Sequence, residues 1–146
     1  MSRTEAWFHH SSNLLVGGTG LVYAWMLFFV TSDDEFSVWN HPLQGATHDL
    51  HLVVAPLLAV SFGIVWIAHA SKRIRLKQKP GRMTGLALCI SFLPMLFSAY
   101  FLQVAVDEEW RSIWKWVHTA TSVFWLAGYA MHQLLPKKKK KKAKPI

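Results

Sequence analysis

Residues 49–70 read DLHLVVAPLLAVSFGIVWIAHA, and residues 72–82 follow with KRIRLKQKPGR. The first stretch carries one carboxylate at its edge and is otherwise free of Asp, Glu, Lys and Arg; the second is dense in cations. A helix needs about 20 mostly apolar residues, at about 1.5 Å rise each, to cross the hydrocarbon core of a bilayer. Residues 49–70 meet that length, and so do 10–31, 83–106 and 113–135. The chain is 52% hydrophobic and only 16% charged. Nearly all its charges fall between these four blocks or at the ends, which leaves too little polar surface for a soluble fold. Trp7, Trp39, Trp110 and Trp114 stand near block ends, where aromatic rings anchor at the membrane–water interface. The sequence therefore predicts an all-α integral membrane protein, a four-helix up-and-down bundle over residues 1–136.

Arg3, the 72–82 connection and the tail (Lys137 to Lys142, Lys144) all lie on one side if the chain crosses four times. Seven of the eight acidic residues fall on the other side, Glu5 being the exception. By the positive-inside rule both termini face the cytoplasm, in an inner (cytoplasmic) cell membrane. No cleavable signal peptide is expected, because the first block lacks a small-residue cleavage site. The net charge of +8 sits mostly in the tail and one loop, so anionic lipid headgroups explain it better than nucleic acid. Six consecutive lysines repel one another, and residues 137–146 are expected to be disordered.

The single cysteine, Cys89, excludes an internal disulfide, a c-type haem attachment and a cysteine-ligated iron–sulfur cluster. No dinucleotide fingerprint, nucleophile elbow or phosphate loop is present, which argues against catalysis by this chain alone. Pro56 and Pro94 fall inside the second and third blocks, and Gly17, Gly18 and Gly20 allow close approach of a helix or a flat cofactor. The 32–47 connection, with Trp39-Asn40-His41-Pro42, is long enough for a short structured cap.

Eight histidines occur in a chain that otherwise keeps polar groups out of the bilayer. Ionisable residues at membrane depth are costly and usually face a functional interior. His118 and His132 are fourteen residues apart, nearly four full turns, so they share a face about 21 Å apart along the axis. His51 and His69, eighteen apart, would share a face of the second helix about 27 Å apart. Aligned by depth, His51 lies almost level with His118, with His48 a turn higher; His10, His69 and His132 lie close to one inner level. Two facing neutral imidazoles are the axial ligands of a b-type haem, and bundle interiors build such sites from facing helices. Two such layers, about 20 Å apart, would hold two haems. The inner partner of His132 is His10, His9 or His69. Arg111 and Lys115 share the face of His118 at helical spacing and suit haem propionates, or else snorkel to lipid phosphates. Gly17, Gly18 and Gly63 would make room for porphyrin planes. Helix three, with Cys89, Ser91, Ser98 and Gln103 as its polar residues, looks like packing.

These residues resemble the four-helix di-haem cytochrome b subunits of respiratory enzymes: the formate dehydrogenase gamma subunit, the nickel–iron hydrogenase cytochrome b and cytochrome b561-type proteins. His118-x13-His132 matches the fourth-helix pair, one ligand to each haem. His51 matches the outer haem's second ligand. His10-Ser11-Ser12-Asn13, followed by Thr19-Gly20-Leu21, matches the inner one. This chain is shorter than the pattern, and its Thr-Gly lies closer to the first histidine. The resemblance implies two haem b groups, a partner redox subunit and exchange with membrane quinone, without catalysis of its own. The competing reading is a haem-free anchor or a small transporter using histidines for protons or metal. The orientation is checked by fusions: a fluorescent protein at the C-terminus should fluoresce in the cytoplasm, and a phosphatase inserted in 32–47 should be active outside. The reverse pattern would invert the topology.

Overall fold

The computed structural model describes residues 1–77 and 81–134, and all regular structure among them is helical. Helix α1 spans Arg3–Phe29. Helix α2 covers Gln44–Arg75, α-helical over Gln44–Val65, π-helical over Trp66–Ala70 and α-helical again over Ser71–Arg75. Helix α3 is Arg82–Val104 and α4 is Glu108–Leu134. Residue 135, residues 78–80 of the basic connection and the lysine tail with its expected disorder lie outside the described residues.

All four helices begin earlier than their apolar blocks, α3 by a single residue, and local polar chemistry explains two of these starts. At α1 the Ser2 hydroxyl accepts from the Glu5 backbone N–H at 3.1 Å, while the Ser2 N–H donates to Glu5 Oε2 at 2.7 Å. This reciprocal capping box satisfies two backbone donors and starts the helix seven residues before the block. At α4 the Asp107 carboxylate accepts from the Trp110 N–H at 3.0 Å, and Glu108 and Glu109 occupy the first turn, where the helix dipole favours negative charge. Apolar windows do not register either signal. Helix α2 begins at Gln44, whose buried side-chain carbonyl accepts from the Asn40 N–H at 2.9 Å.

Among the described residues, α1, α2 and α3 are long and apolar enough to cross a membrane and to meet its lipid. Helix α4 has the length, at 27 residues, but not the composition. Its Trp, His, Thr and Ser residues lower its apolar character, so the expectation of four equivalent spans is borne out for three.

The chain divides into two compact units, Met1–Lys72 and Arg73–Ile146. In the first, α1 and α2 run antiparallel: His9 meets Ser61 and Thr19 meets His51, so contacts near the start of one helix lie near the end of the other. Val16, Met26, Val54 and Leu58 are its buried apolar residues. The 30–43 connection is structured, as its composition suggested. Asn40 Nδ2 donates to the Leu27 carbonyl at 3.3 Å, occupying one of the orphan acceptors at the end of α1, and the Trp39 ring lies against Gly45.

In the second unit α3 and α4 form a tight hairpin, antiparallel by the same criterion. Thr84 meets His132, Leu88 meets Gly128, Phe92 meets Trp125 and Phe101 stacks on Trp114 at 4.5 Å. Trp125 is only 2% exposed and packs its ring on Phe92 with centroids 5.4 Å apart. Removing so large a buried side chain leaves a cavity the hairpin cannot close. Trp125→Ala is expected to lower unfolding free energy by about 3–5 kcal/mol, read by denaturant titration in mild detergent; an unchanged midpoint would contradict the packing.

Candidate functional site

The described residues contain no group of three or more His, Cys, Asp or Glu side chains placed to hold a metal ion together. The histidines are instead set singly, each into its own surroundings, and those surroundings decide which ring nitrogen carries the proton.

His51 lies half-buried on α2, its Nδ1 3.0 Å from the Thr19 hydroxyl of α1. That hydroxyl lies 2.9 Å from the Leu15 carbonyl and 3.1 Å from that of Val16. A hydroxyl has one hydrogen. With it directed to a carbonyl of its own helix, Thr19 Oγ1 can only accept from His51. In that arrangement the proton is on Nδ1 and the lone pair on Nε2. His132 of α4 repeats the arrangement. Its Nδ1 is 2.8 Å from the Thr84 hydroxyl of α3, which donates to the Gly81 carbonyl at 3.2 Å. His118 of α4 does so with different partners: Nδ1 donates to the Met95 carbonyl at 3.1 Å and lies 3.3 Å from Ser98 Oγ, itself donating to Met95 at 2.9 Å. A histidine that ligates a metal through Nε2 commonly gives its other N–H to such an acceptor, which sets the tautomer and the ring orientation.

His9 is arranged differently. Its Nδ1 is 3.0 Å from Ser61 Oγ, and Ser61 donates to the Leu58 carbonyl, so Ser61 accepts from His9. Its Nε2 accepts from Asn13 Nδ2 at 3.2 Å. Both ring nitrogens are engaged, in a buried cluster with Ser61, fully enclosed, and Asn13, 3% exposed. This is an interhelical tie. Next to it, His10 is half-buried with its ring edge-on to Trp7 at 6.2 Å.

His69 sits in the π-helical turn Trp66–Ala70. The eighteen-residue spacing from His51 equals five whole turns only in a continuous α-helix. The wider turn advances the chain by fewer degrees per residue, so the shared face inferred for His51 and His69 does not hold. His48 pairs with the Asp49 carboxylate at 3.1 Å and borders the Tyr23 ring, and His41 Nδ1 accepts from the Leu43 N–H at 3.1 Å; both serve the 30–49 region.

Arg111 donates through its guanidinium to the Ala105 carbonyl at 2.9 and 3.3 Å, capping the end of α3. Lys115 Nζ stands 6.0 Å from the centre of the Trp116 ring. The glycines differ in their surroundings. A Cβ on Gly18 or Gly63 would meet nothing within 4 Å, whereas one on Gly20 would come 2.9 Å from His51 Cε1, and one on Gly85 3.3 Å from His132 Cε1.

Helix α3 is more than packing, because Thr84, Met95 and Ser98 hold the two histidines of α4. A signal was present in the sequence: a Thr or Ser at membrane depth needs an acceptor and offers one. Which histidine it faced depended on the hairpin register. Comparison with known proteins identifies no relative: no family model matches the chain, and neither does any curated protein or solved structure.

The His9–Ser61 tie is checked by a double-mutant cycle. Interhelical side-chain hydrogen bonds in membrane proteins couple by about 0.6 kcal/mol on average and up to about 1.7. His9→Ala with Ser61→Ala is expected to show coupling in that range, and strict additivity would show that the contact contributes nothing.

Proposed function

We propose that this chain is a di-haem b-type cytochrome subunit of a cytoplasmic-membrane redox complex, passing electrons between a partner redox subunit and the quinone pool. In this reading all four helices cross the membrane as an up-and-down bundle, with both termini cytoplasmic. The axial ligands are His51 and His118 for the outer haem and His10 and His132 for the inner one. That pairing comes from the depth register of the sequence.

The observation that supports the reading is the tautomer shared by three of the four proposed ligands. His51, His118 and His132 each have at Nδ1 a backbone carbonyl or a hydroxyl that can donate to a carbonyl of its own helix, a setting that favours a proton there. The lone pair then lies on Nε2, the arrangement axial ligation requires. His9 has both nitrogens engaged, by Ser61 and Asn13, and His118 Nε2 likewise has a polar neighbour, Ser122 Oγ at 3.5 Å. Haem iron, when bound, supplies the one-electron couple. The chain's own residues supply two imidazoles per iron, a fixed ring orientation, and an apolar surround that excludes water.

A haem-free anchor or proton-handling transporter is the second reading, and the buried His9–Asn13–Ser61 cluster favours it, since polar groups at membrane depth often mark a path. An oxidised-minus-reduced spectrum with a haem-to-protein ratio separates the two. The expected result is b-type bands and two haems per chain, with about half the haem lost in each of His51→Ala, His118→Ala and His132→Ala. Purified protein without b-type bands would end the proposal, and full haem content in His118→Ala would end that assignment.

A further inference from the structure

The tripeptide Thr-Gly-Leu occurs twice in the sequence, as Thr19-Gly20-Leu21 on α1 and Thr84-Gly85-Leu86 on α3. In each unit it lies on the first helix of the hairpin and faces a histidine on the second. The threonine hydroxyl lies against the histidine Nδ1, at 3.0 Å for Thr19 and His51 and at 2.8 Å for Thr84 and His132. The glycine that follows lies beside the same ring. A Cβ added at Gly20 would come 2.9 Å from Cε1 and 3.4 Å from Nδ1 of His51; one at Gly85 would come 3.3 Å and 3.9 Å from the same atoms of His132. In both hairpins, then, the hydroxyl takes the Nδ1 edge and the missing side chain makes room at Cε1, the carbon between Nδ1 and Nε2.

The two occurrences lie at different heights on their helices. Thr84 is in the first turn of α3, while Thr19 is well into α1, sixteen residues from its start. Simple duplication of one hairpin contact would put them at the same place. Their histidines also differ in position, His51 near the start of α2 and His132 near the end of α4. The same three-part contact has therefore been built at two unrelated registers, which ordinary ridge-and-groove packing does not demand. Gly20 leaves no room for a Cβ against its ring and Gly85 little, so the close approach of each histidine depends on the missing side chain. In a membrane helix, threonine could as well face its own backbone without meeting a neighbour.

We infer that each Thr-Gly pair is a histidine seat: the threonine fixes the Nδ1–H tautomer, the glycine admits the ring edge-on, and together they present Nε2 to a metal centre. Thr19, Gly20, Thr84 and Gly85 are positioning residues for His51 and His132. That the metal is haem iron rests on the proposed function; the seat itself does not. His118 is held by other means, through Met95 and Ser98, so the seats mark one ligand in each unit.

The seat is tested first on protein prepared without haem, labelled with 15N at histidine, where ring nitrogen chemical shifts report which nitrogen is protonated. Wild-type His51 and His132 are expected as Nδ1–H tautomers. Thr19→Val, which keeps shape and removes the acceptor, should move the His51 signals alone, and Thr84→Val those of His132 alone. Thr19→Ser and Thr84→Ser should restore them. In haemin titrations each valine variant should lose about 10- to 100-fold in affinity at one site, the usual consequence of removing such a partner. Gly20→Ala should weaken binding more than Gly85→Ala, because its Cβ contact is the shorter. Nε2-protonated rings in the wild type, or ring protonation unmoved by both valine substitutions, would overturn the inference. Affinity unchanged while the tautomers shift would overturn the positioning role. Threonine-dependent tautomers in a protein that takes up no haemin would uphold the seats and defeat the haem reading.

Discussion

Side-chain hydroxyls in both hairpins bond back to carbonyls of their own helices, and much of the chemistry depends on that constraint. Ser61 donates to Leu58, Ser98 to Met95, Thr19 to Leu15 or Val16 and Thr84 to Gly81. Between apolar helices no water is at hand to satisfy a spare donor, so the nearest carbonyl takes it. Each hydroxyl is thereby converted into an acceptor, and a histidine opposite must be the donor. Helix composition thus dictates protonation state on the neighbouring helix. Among the described residues no buried side-chain nitrogen or oxygen lacks a partner, as that constraint demands.

The same rule divides the histidines into two kinds. His9 faces an acceptor at Nδ1 and a donor at Nε2, so its ring is consumed by the contact between α1 and α2. His51 and His132 face an accepting hydroxyl at Nδ1 and a glycine at Cε1. His118 reaches past Ser98 to the Met95 carbonyl. Polar residues in one hairpin can therefore do quite different things, one group tying helices together and another aiming a ring.

Much of the helical layout was legible from the distribution of charge. Four apolar blocks separated by cations or carboxylates correspond to four helices. The boundaries were less legible, because the capping box at Ser2 and Glu5 and the Asp107 cap extend helices through polar residues that an apolar window rejects. The π-helical turn at Trp66–Ala70 left no sign that periodicity could detect, since counting turns presupposes one repeat. His69 was misplaced for that reason. Helix α3 was undervalued because its serines and threonine looked sparse in isolation, although each meets a specific partner.

Sequence alone determined that the chain is helical and apolar, that its charge is segregated, and that His118 and His132 lie on one face of a single helix. These are properties of one helix or of composition, and they follow from a repeat of about 3.6 residues and from the cost of charge in hydrocarbon. Tertiary structure decided which hydroxyl stands opposite which ring. That depends on the register of α1 against α2 and of α3 against α4, set by interlocking contacts such as Phe92 on Trp125 and Leu88 on Gly128. A slip of one residue would turn each helix by about 100° and part every hydroxyl from its histidine. The protonation of the rings therefore became readable only once the helices were paired.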